Sequence, residues 1–327
     1  MNIRHRRAIH ETAAAALNQA EHARQIALIY GLICCGLSLL STVLSVLLGD
    51  RISGAGGLSN IGLRSVLSTG QSVLPLVTLI VTACLSLGYH IAMLSYTRGF
   101  DASTHTLMSG FRHFGPVIRA MLTQGFVYLL VGFAAVYISS SIFMATPFAD
   151  PFIELMEPAM ESITTLDTTI QMDQALLMAA AEALIPMLWI FLAVFLVMAL
   201  PIHYRFRMVN FCLADDPQNG AVFALTKSRF LMRRKCFSLF RLDLTLWWFY
   251  AAQLLISMVC YGDILLPMVG ITFPWNSDIS YYLFLILSLL MQLALYYFGM
   301  NRVYAVYAVA YDVLQEESPL PEPPVQQ

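Results

Sequence analysis

Three polar side chains interrupt apolar stretches of the chain: His90, Gln253 and Gln292, with Glu182 at the edge of a fourth stretch. Inside a membrane, polar groups that face a cavity mark the path of an ion or a substrate. They are few here. The glutamines serve as well to hydrogen-bond one helix to another, for about 0.6 kcal/mol. A lone His in an apolar helix is more often packed and hydrogen-bonded than catalytic. A second set is basic. Eight of the eighteen Lys and Arg residues fall between His203 and Trp248, among them Lys227, Arg229, Arg233, Arg234 and Lys235. Such a cluster gathers anionic lipid headgroups at about 1 kcal/mol per basic residue near the surface. The competing account is that it only enforces topology, and that account is favoured because basic inner loops are the default.

Catalytic arrangements do not assemble from the remaining residues. An intramembrane aspartyl protease needs two facing acids. Gly262-Asp263 and Tyr311-Asp312 supply acids that should lie on opposite faces of the bilayer, about 30 Å apart. Ser109 sits in a loop, and His90 has no nucleophile to pair with. Neither H-E-x-x-H nor G-x-x-x-x-G-K-S/T occurs, so no catalytic residue, metal ligand or cofactor is expected. The acids from Asp150 to Glu182 are spaced too irregularly for an ion site and read as a solvated face.

The elements that must hold these residues are membrane spans. The 327-residue chain is 58% hydrophobic and 12% charged, against roughly 25% charged in a soluble domain. No basic domain stands apart, which argues against nucleic acid. Six cysteines without metal-like spacing fall mostly in apolar runs or the basic loop, where free thiols are expected.

Six apolar runs, at about residues 26–48, 73–96, 120–143, 184–202, 244–260 and 281–300, predict an all-α polytopic helical membrane bundle. Residues 1–314 then form a single membrane domain and 315–327 a disordered Pro-rich tail. Asp50 to Gln71, rich in Gly and Ser, reads as an external flexible loop. Leu107, Phe111, Phe114 and Ile118 predict one apolar face of a short helix in the inner interface. Residues 146–182 form the main external acidic loop, and the connector after Cys260 is also external. Asp216-Pro217 suits a helix entry, after which Ala221, Leu225, Ser228 and Met232 share a face and Lys227, Arg233 and Arg234 point away from it. Trp247, Trp248, Phe249 and Tyr250 read as an interfacial belt. The last span should continue as helix toward Leu314. With both termini inside, sixteen basic residues lie inside and two, Arg51 and Arg64, outside.

Three blocks carry a resemblance: GYHIAMLSYTRGFDASTHTLMSGFRHF, LADDPQNGAVFALTKSRFLMRRKCFSLFRLDLTLWW and NRVYAVYAVAYDVL. They resemble the domain-of-unknown-function 975 family of bacterial multi-pass membrane proteins, the second block most specifically. The opening helix and the acidic loop depart from the family pattern. The resemblance implies a helical bundle in the bacterial cytoplasmic membrane and no particular reaction. The expectation is therefore a non-enzymatic protein that binds membrane lipid, anionic lipid above all, or a membrane protein partner through its basic loop. The alternative is a transporter for a small or lipidic substrate, with His90, Gln253 and Gln292 near the path.

Overall fold

A computed structural model describes residues 6–20, 22–54, 61–154, 183–262 and 277–318. Long apolar runs satisfy their own backbone hydrogen bonds as helices, and no strand occurs among the described residues. The helices are α1 (Arg6–Gln19), α2 (Ala23–Gly54), α3 (Ile61–Thr97), α4 (Thr104–Arg112), α5 (Phe114–Met144), α6 (Ile185–Phe206), α7 (Val209–Asp215), α8 (Gly220–Leu231), α9 (Cys236–Asp243), α10 (Trp247–Cys260), α11 (Ser277–Leu295) and α12 (Asn301–Glu317). Among the described residues, six helical stretches are long and apolar enough to cross a membrane. The protein is a multi-pass integral membrane protein of the all-α class.

Several boundaries differ from the sequence expectation. The Gly- and Ser-rich segment is helical over Asp50–Gly54 and from Ile61 onward, because extending a formed helix costs far less than starting one. Residues 55–60 lie outside the described residues, as do most of the acidic loop (155–182), the connector at 263–276 and the tail from 319. The face expected over Leu107 to Ile118 is broken by His113, where α4 ends and α5 begins. Leu107 is buried, but Phe111 and Phe114 are exposed. The fifth span begins earlier than expected, at Cys236, and is not a single helix: α9, a 3-10 turn at Leu244–Leu246 and α10 share its length to Cys260. At 1.5 Å per residue, the 14 residues of α10 alone would fall short of a bilayer. Asp216 precedes a 3-10 turn at Pro217–Asn219 and accepts from the Asn219 amide instead of capping the backbone. The final helix does continue, to Glu317, past the expected start of the tail.

By contact the chain divides into two units, Met1–Met121 with Phe206–Gln327, and Leu122–Arg205. In the second unit, Ser139 is buried and the Tyr128 hydroxyl lies 3.2 Å from His203 Nδ1. Phe126, Phe133, Leu188 and Val197 are exposed there, as expected of side chains facing acyl chains.

The first unit holds a tyrosine-lined core. Tyr30 and Tyr89 have ring centroids 5.0 Å apart, and Tyr304 meets Tyr89 edge-on at 5.1 Å. A π turn, Tyr296–Met300, joins α11 to α12. At its start, Tyr296 occupies the space over Gly31, where a Cβ would come within 2.8 Å of the ring. Just after it, buried Asn301 accepts from the Tyr89 hydroxyl at 2.6 Å and donates to the Ala23 carbonyl at 3.0 Å. One amide thus ties α2, α3 and α12 together. The short α4 is held by backbone contact: a Cβ on Gly88 would lie 2.0 Å from the Leu107 carbonyl, and one on Gly110 1.9 Å from the Cys84 carbonyl. Small residues permit such approach in membranes.

Candidate functional site

Arg98 follows the last turn of α3, Asp215 ends α7, and Tyr311 and Asp312 lie on α12. They meet. Arg98 donates to Asp215 through Nη1 at 2.7 Å and to Asp312 through Nη2 at 2.8 Å. Asp215 also accepts from Lys227 Nζ at 3.0 Å and from the Tyr311 hydroxyl at 2.8 Å. Burial works against the Arg98 charge, but hydrogen bonds and charge from Asp312 and Asp215 outweigh it and raise its pKa. Two cations and two carboxylates leave this cluster with no net charge.

The basic residues of the central loop divide. Ala221, Leu225, Ser228 and Met232 are buried as expected. Lys227 is buried with them, contrary to the expectation that it points away: its ammonium reaches Asp215 and lies 5.5 Å from the Tyr311 ring centroid. The apolar face of α8 is wide enough to include its Cβ, and the inward charge is tolerated because an acid waits there. Lys235 pairs with Glu317. Arg229 is exposed, its guanidinium 4.9 Å from the Phe206 ring. Arg233 and Arg234 are exposed, and neither forms an ion pair among the described residues. Arg234 holds φ at +65°, the left-handed region that favours glycine.

The three intramembrane candidates also separate. Gln253 and Gln292 exchange hydrogen bonds at 3.0 and 3.2 Å and so join α10 to α11. His90 lies elsewhere, on a cavity of about 230 Å³ whose lining includes Ser86, His90, Arg207, Asn210 and three tyrosines, Tyr250, Tyr304 and Tyr307. Its Nδ1 lies 2.6 Å from the Ser86 carbonyl, so the proton is on Nδ1 and Nε2 is the acceptor in the neutral ring. Phe211 and Tyr304 meet the imidazole edge-on at 4.6 and 5.1 Å. Arg207 Nη2 bonds both Tyr250 and, at 2.8 Å, Tyr307, and Tyr307 donates to Asp243 at 2.5 Å. Phe249 and Tyr250, read as belt residues, line this cavity, and Trp248 packs over Gly299. A second recess of about 630 Å³ carries Arg24, Arg302 and exposed Phe298 between α1 and α12.

Sequence reasoning missed the cavity. Arg207 reads as one more loop charge. The available signal was Tyr304, Tyr307 and Tyr311 spaced three and four apart, a polar-edged face on an otherwise apolar helix. Among the described residues no group of three or more His, Cys, Asp or Glu is placed to hold a metal ion. No protein-family model, curated protein or solved structure matches the chain.

Proposed function

We propose that this multi-pass protein resides in a bacterial cytoplasmic membrane with both termini inside, catalyses no reaction, and binds anionic lipid through its basic inner loop. The observation that carries the reading is the division of that loop's charges. Lys227 and Lys235 are matched by Asp215 and Glu317, while Arg229, Arg233 and Arg234 remain exposed. Charges needed only for packing would be matched, whereas these three stay at the surface, where a headgroup can reach them. Arg24 and Arg302, lining the recess beside α1, add basic surface that suits the same ligand. The resemblance of the three sequence blocks to the domain-of-unknown-function 975 family supports the bacterial placement. A membrane protein partner with an acidic face would use the same arginines.

Native mass spectrometry of the full chain with lipids retained tests this. At about 1 kcal/mol per residue, changing Arg229, Arg233 and Arg234 to Gln should weaken phosphatidylglycerol retention by about 3 kcal/mol, roughly a hundredfold. Phosphatidylcholine retention should not change. Equal phosphatidylglycerol retention by both proteins would discard the lipid reading and leave the charges to topology.

One observation favours the alternative of transport for a small or lipidic substrate: His90 lines a polar cavity. Gln253 and Gln292 bond to each other and stand apart from it. Substrate-dependent flux in proteoliposomes that is lost in His90→Ala would favour this alternative over lipid binding alone.

A further inference from the structure

We infer that the recess between α1 and α12 binds an anionic glycerophospholipid, with its phosphate on Arg24 and Arg302 and an acyl chain along Phe298. The inference rests on the loop reading for its ligand class alone and uses none of the loop's residues. Two joints in the chain build the recess. Arg24 is the second residue of α2, just past the break that ends α1. Arg302 is the second residue of α12, just past the π turn that carries Tyr297 and Phe298. Such turns inside helices are rare and recur at functional sites. Ala14, Leu17 and Asn18, spaced three and one apart, give one face of α1 to the recess. Buried Ile9 and Ala13 hold that helix in place.

The sign of the ligand follows from the wall. Arg24 and Arg302 are exposed, and neither has a hydrogen bond or ion pair among the described residues. No Asp or Glu among those residues lines the recess. Acids close by in sequence are engaged elsewhere. Glu11 pairs with Arg7 at 2.9 Å, and Asp312 pairs with Arg98, about 15 Å along the helix from Arg302. Counting Glu21, which lies outside the described residues, against Arg24 still leaves a full positive charge. The field of Arg302 also reaches His10, where it helps to disfavour the ring's proton. An anion is drawn to such a wall.

The rest of the wall selects a lipid. A guanidinium offers phosphate a fork of parallel N–H donors, and the exposed Asn18 amide adds another donor. A soluble phosphate would leave the apolar side of the recess unused. Phe298 is 78% exposed there, and Tyr297 is half-buried beside it. About twenty residues cross a bilayer, so in the span that starts at Ser280 the boundary falls near Met300. Phe298 then lies on the acyl side of that boundary and Arg302 on the headgroup side. Arg24, at the start of the span Ala23–Leu48, stands at the same kind of boundary. A recess of about 630 Å³ has room for a headgroup and the first part of a chain.

Native mass spectrometry of the full chain tests this in a background where Arg229, Arg233 and Arg234 are Gln, which removes the loop's contribution. That protein should still retain one phosphatidylglycerol, far more tightly than phosphatidylcholine. Adding Arg24→Gln and Arg302→Gln should weaken phosphatidylglycerol at least tenfold and leave phosphatidylcholine unchanged. Ala14→Glu in the same background is the second variant. It keeps both arginines, sets a carboxylate on the exposed wall of α1, and should also weaken phosphatidylglycerol at least tenfold. Melting temperatures establish that each variant is folded. Glycerol 3-phosphate, added as a soluble competitor, should displace the lipid only in large excess. No preference for phosphatidylglycerol in the loop background, or unchanged retention in either folded variant, would overturn the site. Glycerol 3-phosphate binding as tightly as the lipid would overturn it too, in favour of a soluble anion. The loop reading fails on a different result, namely unchanged retention when the three loop arginines alone are replaced.

Discussion

The Arg98 guanidinium and the Asp215 carboxylate, 117 residues apart in the chain, lie 2.7 Å apart in the fold. Arg98 follows the second span, Asp215 ends the helix that follows the fourth, and Asp312, the other acid on Arg98, belongs to the helix that closes the sixth. Ends of alternate spans can meet only on one side of a bilayer. These contacts put the three helix ends on a shared face, a fact that counting Lys and Arg along the chain does not supply.

Asp215 should be the most costly single side chain of this cluster to lose. It accepts from Arg98, Lys227 and Tyr311, and Lys227 is buried. Asp215→Asn strands the ammonium without a carboxylate and should destabilise the protein by about 3–5 kcal/mol. Lys227→Met, which removes the stranded charge and leaves Asp215 its other two donors, should cost less. Denaturant melts of the purified variants in detergent measure both, and a milder effect for Asp215→Asn than for Lys227→Met would refute the assignment.

The contact of α3 with α4 makes a prediction of opposite sign at different glycines. A methyl group on Gly88 or Gly110 would overlap backbone atoms at 2.0 or 1.9 Å, and backbone cannot swing aside. Ala at either position should cost about 1–3 kcal/mol or more. Ala at Gly36 or Gly132, where no heavy atom lies within 4 Å, should be neutral or stabilising by up to about 1 kcal/mol. Thermal melts of the four variants would show two losses and no loss at the other pair.

His10 gives the pH dependence. Its Nε2 lies 2.7 Å from the Thr245 hydroxyl, joining α1 to the turn before α10. Burial first, and then the charge of Arg302, lower its pKa from 6.5. The unfolded chain therefore binds this proton more readily than the folded one. The contribution to stability is complete above pH 6.5 and declines as pH falls through the lower folded value. Melting temperatures measured from about pH 7 down to about pH 5 should drop more steeply for the native protein than for His10→Gln. Parallel curves would show that His10 does not titrate with folding.

The spans were legible because runs of about twenty apolar residues have few other uses, and the last helix was legible as far as Glu317 because no Pro falls between Tyr281 and Glu317. Lys227 was misread because four residues define a helical face too narrowly. A charge at its margin turns inward when the preceding helix offers an acid, and sequence spacing does not show which of Asp215 and Asp216 faces it. The short helices were hidden for a similar reason. The packing of α4 depends on two glycines from different helices meeting, a match no local pattern records. Arg207 was hidden by company, since an arginine among loop arginines looks like another topology signal until two tyrosines from other elements, Tyr250 and Tyr307, bond it.

The neutral cluster at Arg98 has a further consequence for assembly. While the chain is being inserted, its Lys and Arg side chains direct orientation and its acids contribute little. Once the second, fourth and sixth spans are in place, Arg98 and Lys227 are matched by Asp215 and Asp312. A hairpin inserted upside down would leave those partners on opposite faces of the membrane, and Lys227 could not be buried. Only a chain threaded so that these helix ends share one face gains the stability of the closed cluster.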